Sequence, residues 1–256
     1  MKKQKIVHVL VKSGAATSNK EAQQLIDAGR VKVEEKLVVS HNFQLNPNTK
    51  KVFLDDKLLK ISKDNIYVIL NKPMNLVCDR NDLHGRKTIY DFIKTIKERD
   101  ENSMNSLFAV GRLDANSTGL LILTNDGNFA NRILQPDSNI TKKYFVKIIG
   151  KLTDDENTRL LQGIEITLEK DGVTETYKTD KCNIEDIKFN SKDDLTSLNI
   201  IISEGKNRQI RRMFLAVNHK VTELKRVSIG NLLLGDLKEG GYKFMKKEEI
   251  SGLVFG

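Results

Sequence analysis

The stretch VGRLDANSTGLLILTNDG, residues 110–127, decides how the rest of this chain is interpreted. Its second half contains an uninterrupted apolar run, residues 120–123, followed by a turn, which is typical of a buried strand. Before that strand comes a small polar loop with one carboxylate, Asp114, two residues after the cationic Arg112. The pattern therefore predicts a carboxylate at the edge of a buried strand, as either a turn former or a catalytic acid.

The rest of residues 61–256, which we expect to form one domain, contains more strand patterns than helix patterns. Apolar runs and alternation predict strands at residues 65–73, 142–150 and 195–203, and helical spacing predicts helices at residues 88–96 and 128–135. Strands and helices do not alternate strictly along the chain. We therefore predict an α+β fold in which helices flank a mixed, largely antiparallel sheet.

A small module precedes this domain, and its clearest part is SNKEAQQLIDAGRVKVEEKLVV, residues 18–39. Ser18 and Glu21 have the spacing of a capping box, and the apolar residues that follow recur at helical spacing until a glycine. Valines on either side of a Glu-Glu-Lys turn then indicate a hairpin. The pattern predicts helix, helix and hairpin in a domain of residues 1–60, with a linker near residues 56–65.

The charge of the chain is unevenly distributed. The formal net charge is +9 at pH 7, and most of the positive excess lies in residues 1–65. A basic end on a nearly balanced body predicts a module that binds a polyanion. The candidate contacts lie around the helix–hairpin junction and are Lys12, Lys20, Arg30 and Lys32.

The composition argues against several classes of protein. No apolar run reaches the ~18 residues of a membrane span, and the N-terminal segment lacks the apolar core of a signal peptide. Cys78 and Cys182 stand in no metal-ligand spacing, and the chain has no phosphate loop or dinucleotide fingerprint. We therefore expect a cytoplasmic protein that does not enter the membrane, and these motifs give no indication of a bound metal or cofactor.

A second informative stretch is SEGKNRQIRRMFLAVNH, residues 203–219. Four of its residues share one face of a predicted helix and would anchor it in the core: Ile210, Met213, Phe214 and Val217. The same spacing places three guanidiniums together on the opposite face: Arg208, Arg211 and Arg212. Because a guanidinium donates hydrogen bonds in a planar fork, this face suits phosphates or carboxylates.

These patterns leave three functions open for a basic α+β protein. Asp114 is a nucleophile or base of an enzyme that acts on RNA. Alternatively, Asp114 and Asp126 belong to a metal-dependent nuclease. In the third interpretation the chain is a non-catalytic RNA-binding or ribosome-assembly factor. The basic N-terminal module and the predicted helix that carries Arg208, Arg211 and Arg212 would be sufficient to bind the RNA.

Two resemblances narrow these alternatives. Residues 14–33, GAATSNKEAQQLIDAGRVKV, resemble the alpha-L RNA-binding domain, although Asn19 replaces a usual basic residue and an acidic pair at 34–35 replaces the usual Asn-Gly turn. The GRLD stretch is similar to the active-site motif of pseudouridine synthases, specifically the branch that modifies ribosomal RNA and carries an N-terminal alpha-L domain. Further motifs occur in the family's order at residues 70–78, 142–146, 204–214 and 224–237.

The second resemblance implies a cofactor-free isomerase that converts one uridine of ribosomal RNA to pseudouridine. Asp114 matches the family's essential aspartate, as nucleophile or base, and Tyr144 in KKYFV matches the active-site tyrosine. Arg211 is the expected ion-pair partner of Asp114. The expected RNA contacts in this domain are Lys72, Arg112, Arg208 and Arg212.

The resemblance also implies the partners of the protein. We expect ribosomal RNA or a ribosomal subunit precursor as substrate, and a monomeric enzyme. Residues 84–93, HGRKTIYDFI, and residues 204–213, EGKNRQIRRM, look more like the branch that modifies large-subunit (23S) RNA than small-subunit (16S) RNA. The sequence therefore slightly favours the large subunit.

Overall fold

The computed structural model describes residues 3–16, 18–61, 64–80, 82, 84–96, 98, 101–170 and 172–256. Its N-terminal part contains two short helices and six short strands. They are β1 (Gln4–Lys5), α1 (Ile6–Lys12), α2 (Asn19–Asp27), β2 (Val31–Val33), β3 (Lys36–Leu37), β4 (Gln44–Leu45), β5 (Val52–Leu54) and β6 (Lys57–Leu58). The predicted order of helix, helix and hairpin is confirmed.

Local chemistry explains this N-terminal part. The Ser18 hydroxyl accepts a hydrogen bond from the Glu21 backbone N–H at 3.1 Å and so caps α2. At the hairpin turn Glu34 takes a left-handed conformation, with φ of 54°. The buried apolar residues of this segment form their own cluster, which includes Ile6 and Leu10 of α1 and Val31 of β2. The segment therefore has a hydrophobic core distinct from those of the rest of the chain.

The larger part continues the numbering through eleven strands and six helices. The strands are β7 (Tyr67–Lys72), β8 (Phe108–Val110), β9 (Thr118–Thr124), β10 (Lys142–Ile149), β11 (Glu165–Lys170), β12 (Val173–Lys178), β13 (Asn183–Asn190), β14 (Leu195–Ile202), β15 (Val221–Ile229), β16 (Leu232–Leu233) and β17 (Tyr242–Met245). The helices are α3 (Ile89–Ile93), α4 (Glu101–Asn105), α5 (Gly127–Leu134), α6 (Asp154–Leu161), α7 (Gln209–Leu215) and α8 (Lys247–Phe255).

Nine of these strands form one sheet, in the order β13-β14-β10-β15-β9-β7-β17, with β16 on β15 and β8 on β9. Neighbouring strands run antiparallel except β9 and β15, which are parallel and pair through Thr118–Gly119 and Lys225–Arg226. Gly119 has φ of +102°, and a Cβ there would collide with the Arg226 carbonyl oxygen. Glycine is therefore required where the two halves of the sheet meet.

Both faces of the sheet are covered by helices, as predicted. Leu121 and Leu123 of β9 pack in one core with α3, α6 and α7. Leu120 and Ile122 point to the opposite face and pack with α5 and α8. The continuous apolar run of the GRLD stretch is therefore a central strand that is buried on both sides. Among the described residues, no helix is long and apolar enough to cross a membrane.

Candidate active site

The loop between β8 and β9 presents Asp114 at the end of the central strand. The Asp114 carbonyl accepts a hydrogen bond from the Ser117 N–H at 3.0 Å, which closes the loop as a turn. The next carbonyl, that of Ala115, accepts a bond from the Asn75 N–H at 2.8 Å. Asn75 takes the left-handed conformation, with φ of 65°, which Asn adopts more readily than most residues other than Gly. The loop after β7 therefore supports the loop that carries Asp114.

Lys72 forms a further part of this support. Its side chain is fully buried, and its ammonium donates to the carbonyls of Pro73 at 2.9 Å, Leu76 at 2.8 Å and Ala115 at 3.4 Å. Burial lowers the pKa of this ammonium below its ordinary value. The prediction that Lys72 contacts RNA phosphate is therefore wrong, because the ammonium is enclosed by backbone carbonyls beneath the Asp114 loop.

Two guanidiniums approach the same oxygen of Asp114. Arg211 Nε lies 3.9 Å from Asp114 Oδ2, and Arg208 Nη1 lies 3.7 Å from it. The Arg211 side chain is only 11% exposed and donates to the carbonyls of Asn116 at 2.7 Å and Val221 at 3.1 Å. Burial and the neighbouring Arg208 charge lower the pKa of Arg211. Arg211 is thus fixed beside Asp114, as expected, while Arg208 is a second cation that the sequence assigned only to RNA.

The three arginines do not share one exposed helix face, which corrects the prediction. Arg208 precedes α7 and takes a left-handed conformation, with φ of 52°. Arg211 turns inward to the Asp114 loop. Arg212 donates to the Thr167 carbonyl of β11 and to Asn207 Oδ1. The guanidinium of Arg212 therefore joins β11 to α7, and its predicted role as an RNA contact is not supported by this placement.

Asp114 lines a cleft of about 900 Å³. Tyr144 of β10 lines the same cleft and is 8% exposed, so its ring forms part of a mostly buried wall. Arg112 also lines the cleft, with a side chain that is 70% exposed and lies 3.7 Å from Asp79 Oδ1. The cleft thus combines two carboxylates, those of Asp79 and Asp114, with one aromatic ring and several cations, a composition suited to a nucleotide.

Comparison with known proteins identifies the family. The family profile described as RNA pseudouridylate synthase matches residues 66–216, which include Asp114, Tyr144 and Arg211. The chain belongs to the RNA pseudouridylate synthase family. It is therefore similar throughout this region to enzymes that isomerise uridine within RNA.

Relatives of this pseudouridylate synthase match almost its whole length. An uncharacterized RNA pseudouridine synthase of Aquifex aeolicus is 38% identical, over 96% of this chain and 92% of its own. Ribosomal large subunit pseudouridine synthase B of Bacillus subtilis is 31% identical, over 98% and 95%. A crystal structure of a pseudouridylate synthase superposes with a TM-score of 0.64 at 29% identity, covering 98% of this chain and 99% of that chain.

The cleft of this pseudouridylate synthase also contains cations that sequence reasoning missed. Arg86 and Lys206 line it, together with Asn207. Arg86 is held by Asp82, whose carboxylate lies 2.6 Å from Arg86 Nη2, and these hydrogen bonds keep the pKa of Asp82 well below its usual range. The spacing of four residues between Asp82 and Arg86 in DLHGR could have indicated this ion pair. It was missed because loop residues show no periodic pattern that marks such a pair.

Three of the four basic residues predicted to contact RNA in the N-terminal segment have polar partners within the protein. Lys12 Nζ donates to Asn65 Oδ1 at 3.1 Å, and burial lowers its pKa. Arg30 pairs with Asp55 at 2.5 Å and Lys32 with Asp56 at 2.6 Å. Lys20 is exposed on α2. Arg30 and Lys32 remain partly exposed, so an RNA phosphate that contacts them would compete with these carboxylates.

Asp126 lies outside the cleft and has a structural role. Its Oδ1 accepts from the N–H groups of Asn128 and Phe129 and caps α5. Its Oδ2 accepts from the Tyr67 hydroxyl at 2.6 Å and from Lys247 Nζ at 3.0 Å. Among the described residues, no group of three or more His, Cys, Asp or Glu could hold a metal ion. The geometry therefore does not support a nuclease that uses Asp114 with Asp126.

Proposed function

We propose that this enzyme converts a specific uridine of ribosomal RNA to pseudouridine, with the large-subunit RNA as its substrate. Relatives from several bacteria, including Bacillus subtilis and Vibrio cholerae, are named ribosomal large subunit pseudouridine synthase B. The similarity extends over the N-terminal domain as well as the cleft, with 98% of this chain matched in both cases. We further propose that the protein acts as a cytoplasmic monomer.

One observation carries the catalytic part of this proposal. Asp114 opens into the same cleft as the buried Tyr144, and two guanidiniums lie 3.7 and 3.9 Å from its Oδ2. Such a site presents a carboxylate to a nucleotide while cations balance its charge. Asp114 is therefore our candidate for the group that acts on the sugar of the target uridine.

The isomerisation balances without any added reactant. The bond between the ribose C1′ and uracil N1 breaks, the base rotates, and a bond between C1′ and uracil C5 forms. The C5 proton is lost and N1 gains a proton, so nothing is oxidised or hydrolysed. Asp114 serves this sequence either by attacking C1′ or by removing the 2′ proton of the ribose.

The remaining residues of the cleft bind and orient the uridine in this proposal. The target base must leave its stack to reach Asp114, and the ring of Tyr144 offers it an aromatic surface. Arg112 and Arg86, at the cleft, would contact the phosphates on either side of the target nucleotide. The N-terminal domain adds affinity by raising the effective concentration of the cleft near its RNA.

An Asp114→Asn variant tests the proposed function. Purified wild-type and variant proteins receive transcripts of large-subunit and small-subunit ribosomal RNA, and pseudouridine is mapped in each. We expect a single modified site in the large-subunit RNA with wild type and none with Asp114→Asn. Asp193→Asn, an equivalent change in the turn between β13 and β14, is the matched control and should remain fully active.

The outcomes separate the alternatives. Full activity of Asp114→Asn would show that another group is the catalyst. A wild-type protein that binds ribosomal RNA but forms no pseudouridine would favour a non-catalytic RNA-binding or ribosome-assembly factor. Modification of the small-subunit transcript alone would overturn the proposed substrate but leave the reaction unchanged.

A further inference from the structure

Glu204 follows β14 and has no part in the reaction described above. Its Oε2 accepts a hydrogen bond from the Tyr177 hydroxyl at 2.6 Å. Its Oε1 accepts from the Asp180 backbone N–H at 2.8 Å and from Gln209 Nε2 at 2.5 Å. One carboxylate thus joins three different segments: the hairpin β11–β12, the chain that follows it, and the first residue of α7.

The same contacts close the loop that leads into α7. Gln209 is 3% exposed, and its Oε1 accepts a hydrogen bond from the Lys206 backbone N–H at 2.9 Å. The Gln209 N–H in turn donates to the Lys206 carbonyl at 3.2 Å. With the bond from Gln209 to Glu204, the Gln209 side chain closes residues 204–209 into a compact loop.

Arg208 occupies the strained position of this closed loop. Its φ of 52° lies in the left-handed region, which residues other than glycine adopt only where their surroundings hold them. Its side chain makes no capping hydrogen bond to α7. Instead, its guanidinium extends to within 3.7 Å of Asp114 Oδ2. The backbone of the loop therefore determines where this guanidinium points.

The hairpin β11–β12 is coupled to the same loop. Besides the bond from Tyr177 to Glu204, the ammonium of Lys206 lies 4.5 Å from the centre of the Tyr177 ring. The hydrogen bond to Glu204 raises the pKa of the Tyr177 hydroxyl to about 12, so this hydroxyl is a donor throughout the physiological range. A segment that carries no recognisable motif is thus connected to the cations of the cleft.

We propose that Glu204 is a positioning residue: through Gln209 it holds Arg208 beside Asp114, and through Tyr177 it fixes that arrangement to the hairpin β11–β12. The inference rests on the proposed role of Asp114. It predicts that Glu204 contributes to the reaction only through Arg208. Removing Glu204 should therefore lower kcat far more than it changes KM.

A double-mutant cycle tests this dependence. Release of tritium from transcripts that contain 5-tritiated uridine is measured in single turnovers with Glu204→Ala, Arg208→Ala and the double variant. We expect Glu204→Ala to lower the rate at least about tenfold in the wild-type background and less than about twofold in the Arg208→Ala background. Tyr177→Phe, which removes one of the three hydrogen bonds, should lower the rate about fivefold and only when Arg208 is present.

Controls separate positioning from folding and from the proposed function. Glu185→Ala removes a carboxylate of the edge strand β13, which pairs with Lys143 of β10, and it should leave the rate unchanged. If Glu204→Ala lowers the rate by the same factor in both backgrounds, Glu204 supports the fold only and the inference fails. If Glu204→Ala does not fold, Tyr177→Phe is compared in the same two backgrounds, and an equal loss of rate in both would again contradict the inference. A wild-type protein that releases no tritium would overturn the proposed function instead.

Discussion

Arg211 Nε lies 3.9 Å from Asp114 Oδ2, although the two residues are far apart in the chain, Asp114 in the loop between β8 and β9 and Arg211 in α7. Arg211 reaches this place because its other nitrogens donate to the carbonyls of Asn116 and Val221. Its Nε is buried and has no hydrogen-bond partner of its own. The two side chains therefore form an ion pair without a hydrogen bond, and a small movement would bring Arg211 Nε within hydrogen-bonding distance of Asp114 Oδ2.

Replacing Arg211 by Met should reduce catalysis more than binding. Truncating one partner of a largely buried charge pair costs ~2–5 kcal/mol, so we expect kcat to fall at least about thirtyfold. KM for the RNA should change little, because the side chain is turned away from solvent. Single-turnover kinetics measure both. Arg211→Lys keeps the charge but loses the fork to the two carbonyls, and should be intermediate; wild-type kinetics for Arg211→Met would refute the pairing.

Tyr144 variants should separate the ring from the hydroxyl. If the ring forms the surface on which the target base stacks, Tyr144→Phe should bind RNA within about twofold of wild type. Tyr144→Ala should lose the ~1–3 kcal/mol of a base–aromatic stack. Equilibrium binding to a transcript of the target stem–loop gives both values. Equal loss of affinity in the two variants would instead indicate that the hydroxyl makes the contact.

Salt dependence should distinguish Arg112 from Arg212. Arg112 is 70% exposed at the cleft, so Arg112→Ala should weaken RNA binding and reduce the slope of log K against log salt by ~0.7–0.9. Arg212 is engaged with the Thr167 carbonyl, so Arg212→Ala should leave that slope unchanged. Titrations at several salt concentrations measure both slopes. A reduced slope for Arg212→Ala would restore its predicted role as a phosphate contact.

Asp126 should matter for stability and not for the reaction. Asp126→Ala removes the cap of α5, worth ~1 kcal/mol, and leaves the buried Tyr67 hydroxyl without its acceptor at ~1–3 kcal/mol. We expect the free energy of unfolding to fall by ~2–4 kcal/mol, measured by urea denaturation. Turnover per folded molecule, assayed with and without EDTA, should match wild type. Loss of activity on adding EDTA would contradict this and revive the nuclease alternative.

The contribution of Asp126 should also depend on pH. Burial raises the pKa of Asp126, but hydrogen bonds from Tyr67, Lys247 and the Phe129 N–H outweigh it, and the net pKa is below the ordinary value. Such a group stabilises the fold above the unfolded pKa, ~3.9, and loses this contribution as pH falls through the folded pKa. The difference in unfolding free energy between wild type and Asp126→Ala should therefore shrink below about pH 4. A difference that is constant from pH 7 to pH 3 would rule out this account.

Much of the fold was predictable because its signals are local. The apolar run of β9, the cap at Ser18 and the apolar stripe of α7 each follow from a short stretch of sequence. Asp114, Tyr144 and Arg112 were predicted from family resemblance and lie together at one cleft. Periodicity alone assigned none of them a role.

The errors concern side chains whose surroundings come from distant segments. Lys72 has the pattern of a solvated turn lysine, and only the loops that fold over it show that it is buried. Helical periodicity grouped Arg208 with Arg212, but Arg208 lies before the helix begins and Arg212 meets a hairpin from elsewhere in the chain. Arg86 was missed because loop residues have no period. Tertiary context, which no short stretch encodes, decided each case.

The short parallel pairing of β9 with β15 at Gly119 has a consequence for when the active site forms during folding. Asp114 lies in a loop of the half of the sheet built from β7, β8, β9 and β17, whereas Tyr144 is on β10 of the other half and Arg211 is on α7, which connects β14 to β15. Until Thr118–Gly119 meets Lys225–Arg226, the carboxylate has neither its cation nor its aromatic neighbour. A nascent or partly unfolded chain in which these two strands have not yet paired therefore has no assembled site.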